Sequence, residues 1–235
     1  QRTGLLIGSN GTAIQQPFSS FFWQAGGEWF SPDGREVTFD GPAAVKAIEF
    51  MQQLFDPATG VTRLGENPGA SPVNPLVTGQ AAMMFGSMEM TSGLRTTNPD
   101  AFELLAVAPP TKDVDQATFY SFAGFFISQD SSHKDEAWQY ISFALSPEWL
   151  EAFNSAAGSL PPRSSLADSA FLAESPALKA YSDNLQFAHG NPNVAIWVQA
   201  RDITAAHLES AVYGRETAEA AAKAIQQEIE ALLNP

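Results

Sequence analysis

The sequence predicts an α/β fold. Short apolar runs of strand length are interspersed with segments whose apolar residues recur at helical spacing, and Gly, Pro, Asn and Asp punctuate the joints. The 235 residues are enough to bury a core, in one large domain or two lobes. With 44% hydrophobic and 16% charged residues, the composition is that of a globular chain and not a disordered one.

Each element has its own signal. Gly4-Leu5-Leu6-Ile7 reads as the tail of a strand, and Gly8-Ser9-Asn10-Gly11 as a turn. Ile14–Trp23 reads as an aromatic-rich helix closed by Gly26-Gly27, since glycine adopts the left-handed conformation that ends a helix. Glu28-Trp29-Phe30 and Glu36-Val37-Thr38-Phe39 flank Ser31-Pro32-Asp33-Gly34, a hairpin signal. Asp40 is placed to cap the next helix, with Pro42 in its first turn and Val45, Ile48, Met51 and Phe55 along one face. Asn74–Gln80 reads as a short helix, Ala81–Phe85 as a strand, and Gly86-Ser87 as the start of a helix holding Met88, Glu89 and Met90. Phe102–Ala108 and Phe119–Ile127 read as strands, the first ended by Pro109-Pro110. Ser132 is placed to cap a helix with Ala137, Trp138, Ile141 and Leu145 on its apolar side, and Ser146-Pro147-Glu148 opens another. The last third is helical: Pro176–Leu185, then Ile196–Tyr213 ended by Gly214, then a helix capped by Thr217 and striped by Ala221, Ala224, Ile225, Ile229 and Leu232.

Charge and composition exclude several classes. The 26 acidic against 12 basic residues give a net charge of −14, which repels nucleic acid and anionic membrane. No apolar run approaches the roughly 20 residues that span a bilayer. The start of the chain has no signal-peptide pattern. The absence of cysteine rules out disulfides and thiolate metal sites, and is easiest to understand outside the cytoplasm.

Catalytic and metal signatures are missing too. There is no Gly-x-Ser-x-Gly elbow, no His-Glu-x-x-His, no calcium loop and no phosphate-binding glycine pattern, so neither cofactor nor metal is expected. His133, His189 and His207 sit in unrelated settings and read as surface or capping residues. Glu28, Asp40, Glu49 and Glu89 are candidate carboxylates for glycoside hydrolysis. Asp40 is better explained as a cap and Glu49 as a helix-surface residue, and nothing sets Glu28 opposite Glu89.

What remains is aromatic and hydrogen-bonding surface. The stretch 19–55 reads as an aromatic face set beside a cleft, suited to hold a polar, ring-shaped molecule without changing it. A sugar ring stacks its C–H face on indole, while its hydroxyls need carboxylates, amides and Arg. Phe21, Phe22, Trp23, Trp29, Tyr120, Phe122, Trp197 and Tyr213 are the aromatic candidates, each also readable as core; Trp23, just before Gly-Gly, and Trp197, at the head of a long helix after a Pro-bearing loop, are the better placed for a site. Trp138 and Trp149 lie on helix faces that read as core.

The order of motifs resembles the extracellular solute-binding proteins of ABC importers, in the sugar-binding family that includes maltose-binding protein. The carrying residues are Trp23-Gln-Ala-Gly-Gly27, Asp33-Gly34, Thr38-Phe39-Asp40 with Pro42–Ala47, and Val77-Thr78-Gly79-Gln80-Ala81-Ala82-Met83. They continue through Gly86-Ser87-Met88-Glu89, Val107–Pro110, Ala123–Ser128, Asp135–Trp138, Leu160-Pro161-Pro162-Arg163 and Gly214-Arg215-Glu216-Thr217. The resemblance covers nearly the whole chain and implies a type II periplasmic-binding-protein-like two-lobe fold, here mainly the second lobe. The first-lobe segment usual at the start of family members is absent. On this reading residues 1–118 are the second-lobe α/β part, 119–158 return to the first lobe, and 159–235 are the C-terminal helical part of the second lobe.

The resemblance implies ligand contacts at Trp23, Met88, Glu89, Phe122, Ala123, Gly124, Trp197 and Arg201. Met88 stands where many members carry a stacking Trp, which is a departure from the family pattern, and Arg163 matches a Pro-Arg for which ligand binding and a hinge or packing role are equally open. The implied function is capture of a carbohydrate or polyol for ABC import, not catalysis. The implied partners are permease transmembrane subunits and the missing first lobe, and no nucleic acid. The implied location is periplasmic or extracellular, held at the membrane through the permease or a lipid anchor not present in this chain. The alternatives are a glycoside-active enzyme using paired carboxylates and a stranded fragment acting as an interaction module. In the fragment case the apolar surface of Phe122–Phe126 and Trp138 would need another partner.

Overall fold

The computed structural model describes residues 3–65 and 74–233. In chain order its regular elements are β1 (Thr3–Leu6), α1 (Gly11–Gln24), α2 (Pro42–Phe55), β2 (Ala81–Met84), α3 (Met88–Thr97), α4 (Pro99–Glu103) and β3 (Thr118–Phe119). They continue with α5 (Lys134–Ala144), α6 (Pro147–Ala157), α7 (Ala170–Ala173), α8 (Pro176–Asn184), β4 (Ala188–His189), α9 (Trp197–Val212) and α10 (Ala218–Leu233). The chain folds as two compact units. The first draws on residues 1–86, 110–120 and 187–235, the second on 87–109 and 121–186.

The first unit is built around four helices: α1 packs on α2 and α9, and α10 on α2 and α9. Their shared interior is aromatic. The Trp29 ring lies 4.9 Å from Phe39, 5.2 Å from Phe22 and 5.2 Å from Trp197, and Phe18 stacks on Phe22 at 5.9 Å. Each such ring buried contributes roughly 1.5–3 kcal/mol. Two parallel strand pairs flank the helices, β1 with β2 (Thr3 opposite Ala81, Leu5 opposite Met83) and β3 with β4 (Thr118 opposite Ala188, Phe119 opposite His189).

α1 is buried nearly all round, so its polar residues need internal partners. Ser20 Oγ accepts from Phe119 N at 2.9 Å, and Gln24 Nε2 donates to Ala117 O at 2.7 Å. Thr111 Oγ1 donates to Gln24 Oε1 at 2.8 Å. These bonds pin residues 111–119 along α1. The helix then ends in a Schellman arrangement: Gly26 N donates to Trp23 O and Gly27 N to Phe22 O, with Gly26 at φ +83°. A Cβ on Gly27 would stand 2.0 Å from the Phe22 ring, so the closing glycines serve both turn and packing.

α10 reaches back to the front of the unit. Gln226 Oε1 accepts from Phe39 N (2.7 Å) and Asp40 N (3.2 Å), while its Nε2 donates to Val37 O at 2.8 Å. A second tie joins α9 to α10. His207 Nδ1 lies 3.0–3.1 Å from both Glu216 carboxylate oxygens, and Nε2 lies 3.1 Å from Glu228 Oε1. A neutral imidazole carries one N–H, so both contacts are hydrogen bonds only when the ring is imidazolium. Burial pushes the His207 pKa down, but the bonds and charges of Glu216 and Glu228 outweigh it, and the net direction is upward from 6.5.

The second unit is helical. α3 adjoins α4, α5 adjoins α6, and α7 adjoins α8. Arg163 Nε donates to Leu145 O at 3.0 Å, which ties the Pro-Pro-Arg connection to the end of α5. Much of this unit's apolar surface is uncovered: Phe126 is 91% exposed, Trp138 63%, and Tyr140, Phe143, Trp149 and Phe153 are also exposed.

Several expectations are corrected. Residues 120–128 form no strand; only Thr118–Phe119 pairs, because no described strand lies beside the rest and an unpaired strand leaves its backbone groups unmet. Phe102–Ala108 gives the end of α4, a turn and irregular chain; Asn98 caps α4 by accepting from Ala101 N, and Pro99 opens it, which draws Phe102 into the helix. Asn74–Gln80 is a series of turns. The hairpin shrinks to one antiparallel bridge, Phe30 with Val37. Asp40 does not cap α2: Gly41 stands at that position, and the Asp40 N–H is already held by Gln226. Ser132 does not cap α5, which begins after His133. Trp138 and Trp149 are exposed, since no described residue covers their helix faces. By contrast Thr217 does cap α10, accepting from Ala220 N at 3.2 Å.

Candidate functional site

An open-sided groove of ≈ 650 Å³ lies wholly within the first unit. Each of its walls follows from the packing above. Trp23 is fixed by the last turn of α1. Because Ser20 and Gln24 hold β3 along that helix, and β3 pairs with β4, His189 is delivered beside Trp23. The two rings stack at 5.0 Å with 24° between their planes. A second wall is the 28–34 turn. Thr38 Oγ1 donates to Glu28 O at 2.6 Å, Thr38 N to Trp29 O at 3.1 Å, and Ser31 N to Glu36 O at 2.9 Å. The third is the 190–196 loop that leads into α9, tied by Trp197 N to Val194 O at 3.0 Å.

The polar groups on this groove are mostly oxygens. Glu28, Ser31, Asp33 and Asn193 all line it. Ser31 Oγ donates to Asp33 Oδ1 at 2.7 Å and accepts from Glu36 N at 3.0 Å. Asp33 Oδ1 also accepts from Arg35 N at 3.2 Å. The Ser31 hydroxyl, then the Arg35 N–H, hold the Asp33 carboxyl below its ordinary 3.8. Arg35 Nε stands 3.8 Å from Asp33 Oδ2, both side chains being well exposed. Such a set accepts hydrogen bonds from hydroxyls along one edge and offers ring faces along another. Among the described residues no group of three or more His, Cys, Asp or Glu is placed to hold a metal ion, and no described helix is long and apolar enough to cross a membrane.

The residues singled out from the sequence divide between the units. Trp23, Trp197 and Arg201 belong to the first; Met88, Glu89, Phe122, Ala123 and Gly124 belong to the second. Trp23 lines the groove but is 4% exposed, with His189 against its ring. Trp197 is 8% exposed, packed edge-on to Trp29. Arg201 is half-buried and holds Asp202 Oδ1 through Nε (2.9 Å) and Nη2 (2.8 Å). Met88 is half-buried at the start of α3. Glu89 lies in the same helix, with its side chain outside the described part of the structure. Phe122 is 77% exposed, and it shares the irregular 120–128 stretch with the exposed Ala123 and Gly124.

Sequence reasoning missed His189, Asp33, Ser31 and Asn193 as site residues. Asp33 and Ser31 carried only a turn signal. His189 had no local signature, because its place depends on the pairing of β4 with β3 across 68 or more residues of intervening chain.

Comparison with known proteins follows from this geometry. The sequence pattern of the bacterial extracellular solute-binding proteins matches residues 5–180. A Brucella abortus protein named as a binding protein is 23% identical over 213 residues, covering 90% of this chain and 51% of that protein. The fold matches the GacH receptor of Streptomyces glaucescens with a TM-score of 0.82 at 17% identity, covering 99% of this chain and 59% of the other. It matches the sugar-binding protein MalE of Xanthomonas citri at 0.81 and 21% identity, covering 99% and 58%. The cyclic alpha-maltosyl-1,6-maltose binding protein of Arthrobacter globiformis gives 0.78 at 24%, covering 99% and 60%. The chain therefore spans about half the length of the curated relative and about three fifths of the solved structures. The fold is that of type II periplasmic binding proteins, and the chain belongs to the bacterial extracellular solute-binding protein family.

Proposed function

We propose that the chain is part of a receptor that captures a carbohydrate or similar polyol outside the cell and delivers it to an ABC permease. The observation that carries the reading is the groove itself: the His189 imidazole, backed by the buried Trp23 indole, stands beside an edge of carboxylate, hydroxyl and amide groups, in a chain of a solute-binding family. Two of the structurally similar proteins are named for maltose-type or other sugars, which supports the same ligand class. The receptor holds its ligand by stacking and hydrogen bonding and changes no bond.

In the complete receptor, two lobes close over the ligand by a hinge. We assign residues 1–118 and 159–235 to one lobe and 119–158 to the return segment of the other. Trp23, Trp197 and Arg201 are proposed as ligand contacts or their immediate support on the first unit, and Met88, Glu89, Phe122, Ala123 and Gly124 on the second. The exposed rings Phe126 and Trp138 support a further segment of protein packed over the second unit, because exposed apolar surface of that size is normally covered. The receptor works in the periplasm or at the outer cell surface, docked on permease transmembrane subunits.

The paired-carboxylate alternative draws on the same groove, where Glu28 and Asp33 both line the wall. An ionised carboxylate serves a hydrolase as well as a sugar receptor, so turnover of the ligand is what separates the two readings. A thermal-shift screen of neutral sugars, run beside a glycoside turnover assay, tests the proposal. A sugar that raises the melting temperature and is recovered intact supports capture; turnover refutes it.

A further inference from the structure

We propose that the Trp23–His189 groove discriminates by charge, admitting neutral and amino sugars and rejecting acidic ones, with Glu28 and Asp33 as the specificity-determining residues. The inference rests on the reading of the groove as the solute surface and deepens it.

Among the described residues, the charged side chains lining the groove are both carboxylates, with no Lys or Arg beside them. Asp33 accepts from the Ser31 hydroxyl and the Arg35 N–H, which lower its pKa from 3.8 and leave it charged at neutral pH. Arg35 Nε lies 3.8 Å from Asp33 Oδ2, but Arg35 itself is not among the groove's lining residues. His189 adds an imidazole face, already backed by the Trp23 indole. A ligand carboxylate or phosphate entering beside Asp33 and Glu28 meets like charge with no basic fork to receive it. A hydroxyl meets acceptors for its proton, and an ammonium meets acceptors and opposite charge. The remainder of the chain reinforces the bias, since its net charge is −14.

The test uses three ligands of one size: a neutral disaccharide, its amino-sugar counterpart and its uronic-acid counterpart. Isothermal titration at low ionic strength is expected to give the uronate about tenfold weaker binding than the neutral sugar, as one like-charge contact near a protein surface would cause. Added salt narrows the gap. The double variant Glu28→Gln, Asp33→Asn is expected to bring the uronate up to the neutral sugar; a ratio unchanged in a variant that melts as the parent does overturns the assignment. Equal binding of uronate and neutral sugar by the parent protein overturns the charge discrimination while leaving sugar capture standing. Binding of none of the three overturns both.

Discussion

Replacing His207 with Gln removes the one charged tie between α9 and α10 that titrates near neutral pH. In the folded chain both ring nitrogens face carboxylates, Glu216 on one side and Glu228 on the other. Of the elements packed against α9, α1 carries no titratable side chain, and α2 contributes Gln52, whose Nε2 donates to Ala211 O and Glu216 O. The side chain is 17% exposed, so the contacts are largely shielded from water. Bonds between charged groups contribute roughly 1.5–3 kcal/mol each, and burial of the ring offsets part of that sum, leaving about 1–3 kcal/mol at stake. The folded pKa is raised, so this stability is fully present below 6.5 and is lost as pH rises through the higher folded value. Thermal unfolding between pH 5 and pH 9 reads the effect. The parent is expected to melt about 2–12 °C above H207Q at pH 5.5, taking ~2–4 °C per kcal/mol for a domain of this size. The difference is expected to shrink at the alkaline end. A parent-minus-variant difference that is flat with pH, or that grows as pH rises, refutes the imidazolium clip.

Four further outcomes follow from the same packing. Trp29→Ala empties the centre of the aromatic cluster and is expected to cost about 3–5 kcal/mol in denaturant unfolding. Gly27→Ala drives a methyl into the Phe22 ring and is expected to destabilise by about 1–3 kcal/mol, with the midpoint lowered in chemical denaturation. Gln226→Leu strands the N–H groups of Phe39 and Asp40 and the carbonyl of Val37, at about 1–3 kcal/mol for each group left buried and unmet. His189→Ala takes away one wall of the groove and is expected to weaken sugar binding at least about threefold, since a ring contact is worth about 0.5–1.5 kcal/mol, with a small change in melting temperature that separates it from the Trp29 variant.

The helices were legible because their determinants are local. Gly26-Gly27 marked the end of α1, Pro42 the start of α2, Gly214 the end of α9, and Thr217 the start of α10. The strands were legible only where a partner exists within the described chain. Ala81–Met84 pairs with Thr3–Leu6 and was readable. The apolar run after Phe119 has strand composition but no neighbour to complete it. Trp138 and Trp149 failed for a related reason: helical periodicity identifies the face that wants burial, not the surface that supplies it. For the groove, the sequence singled out Trp23 but read the 28–34 segment only as a turn. It could not place His189, which arrives through the β3–β4 pairing, nor foresee that this imidazole lies against the indole. Trp197 heads a helix that begins beside the groove, and its ring packs edge-on against Trp29.

Calorimetric titration of the protein with a series of neutral oligosaccharides, followed by chromatography of the ligand recovered, bears most directly on capture without chemistry. Saturable heat from at least one sugar, with that sugar returned unchanged, is the predicted result. A shortened or rearranged sugar, or no heat from any member of the series, would contradict it.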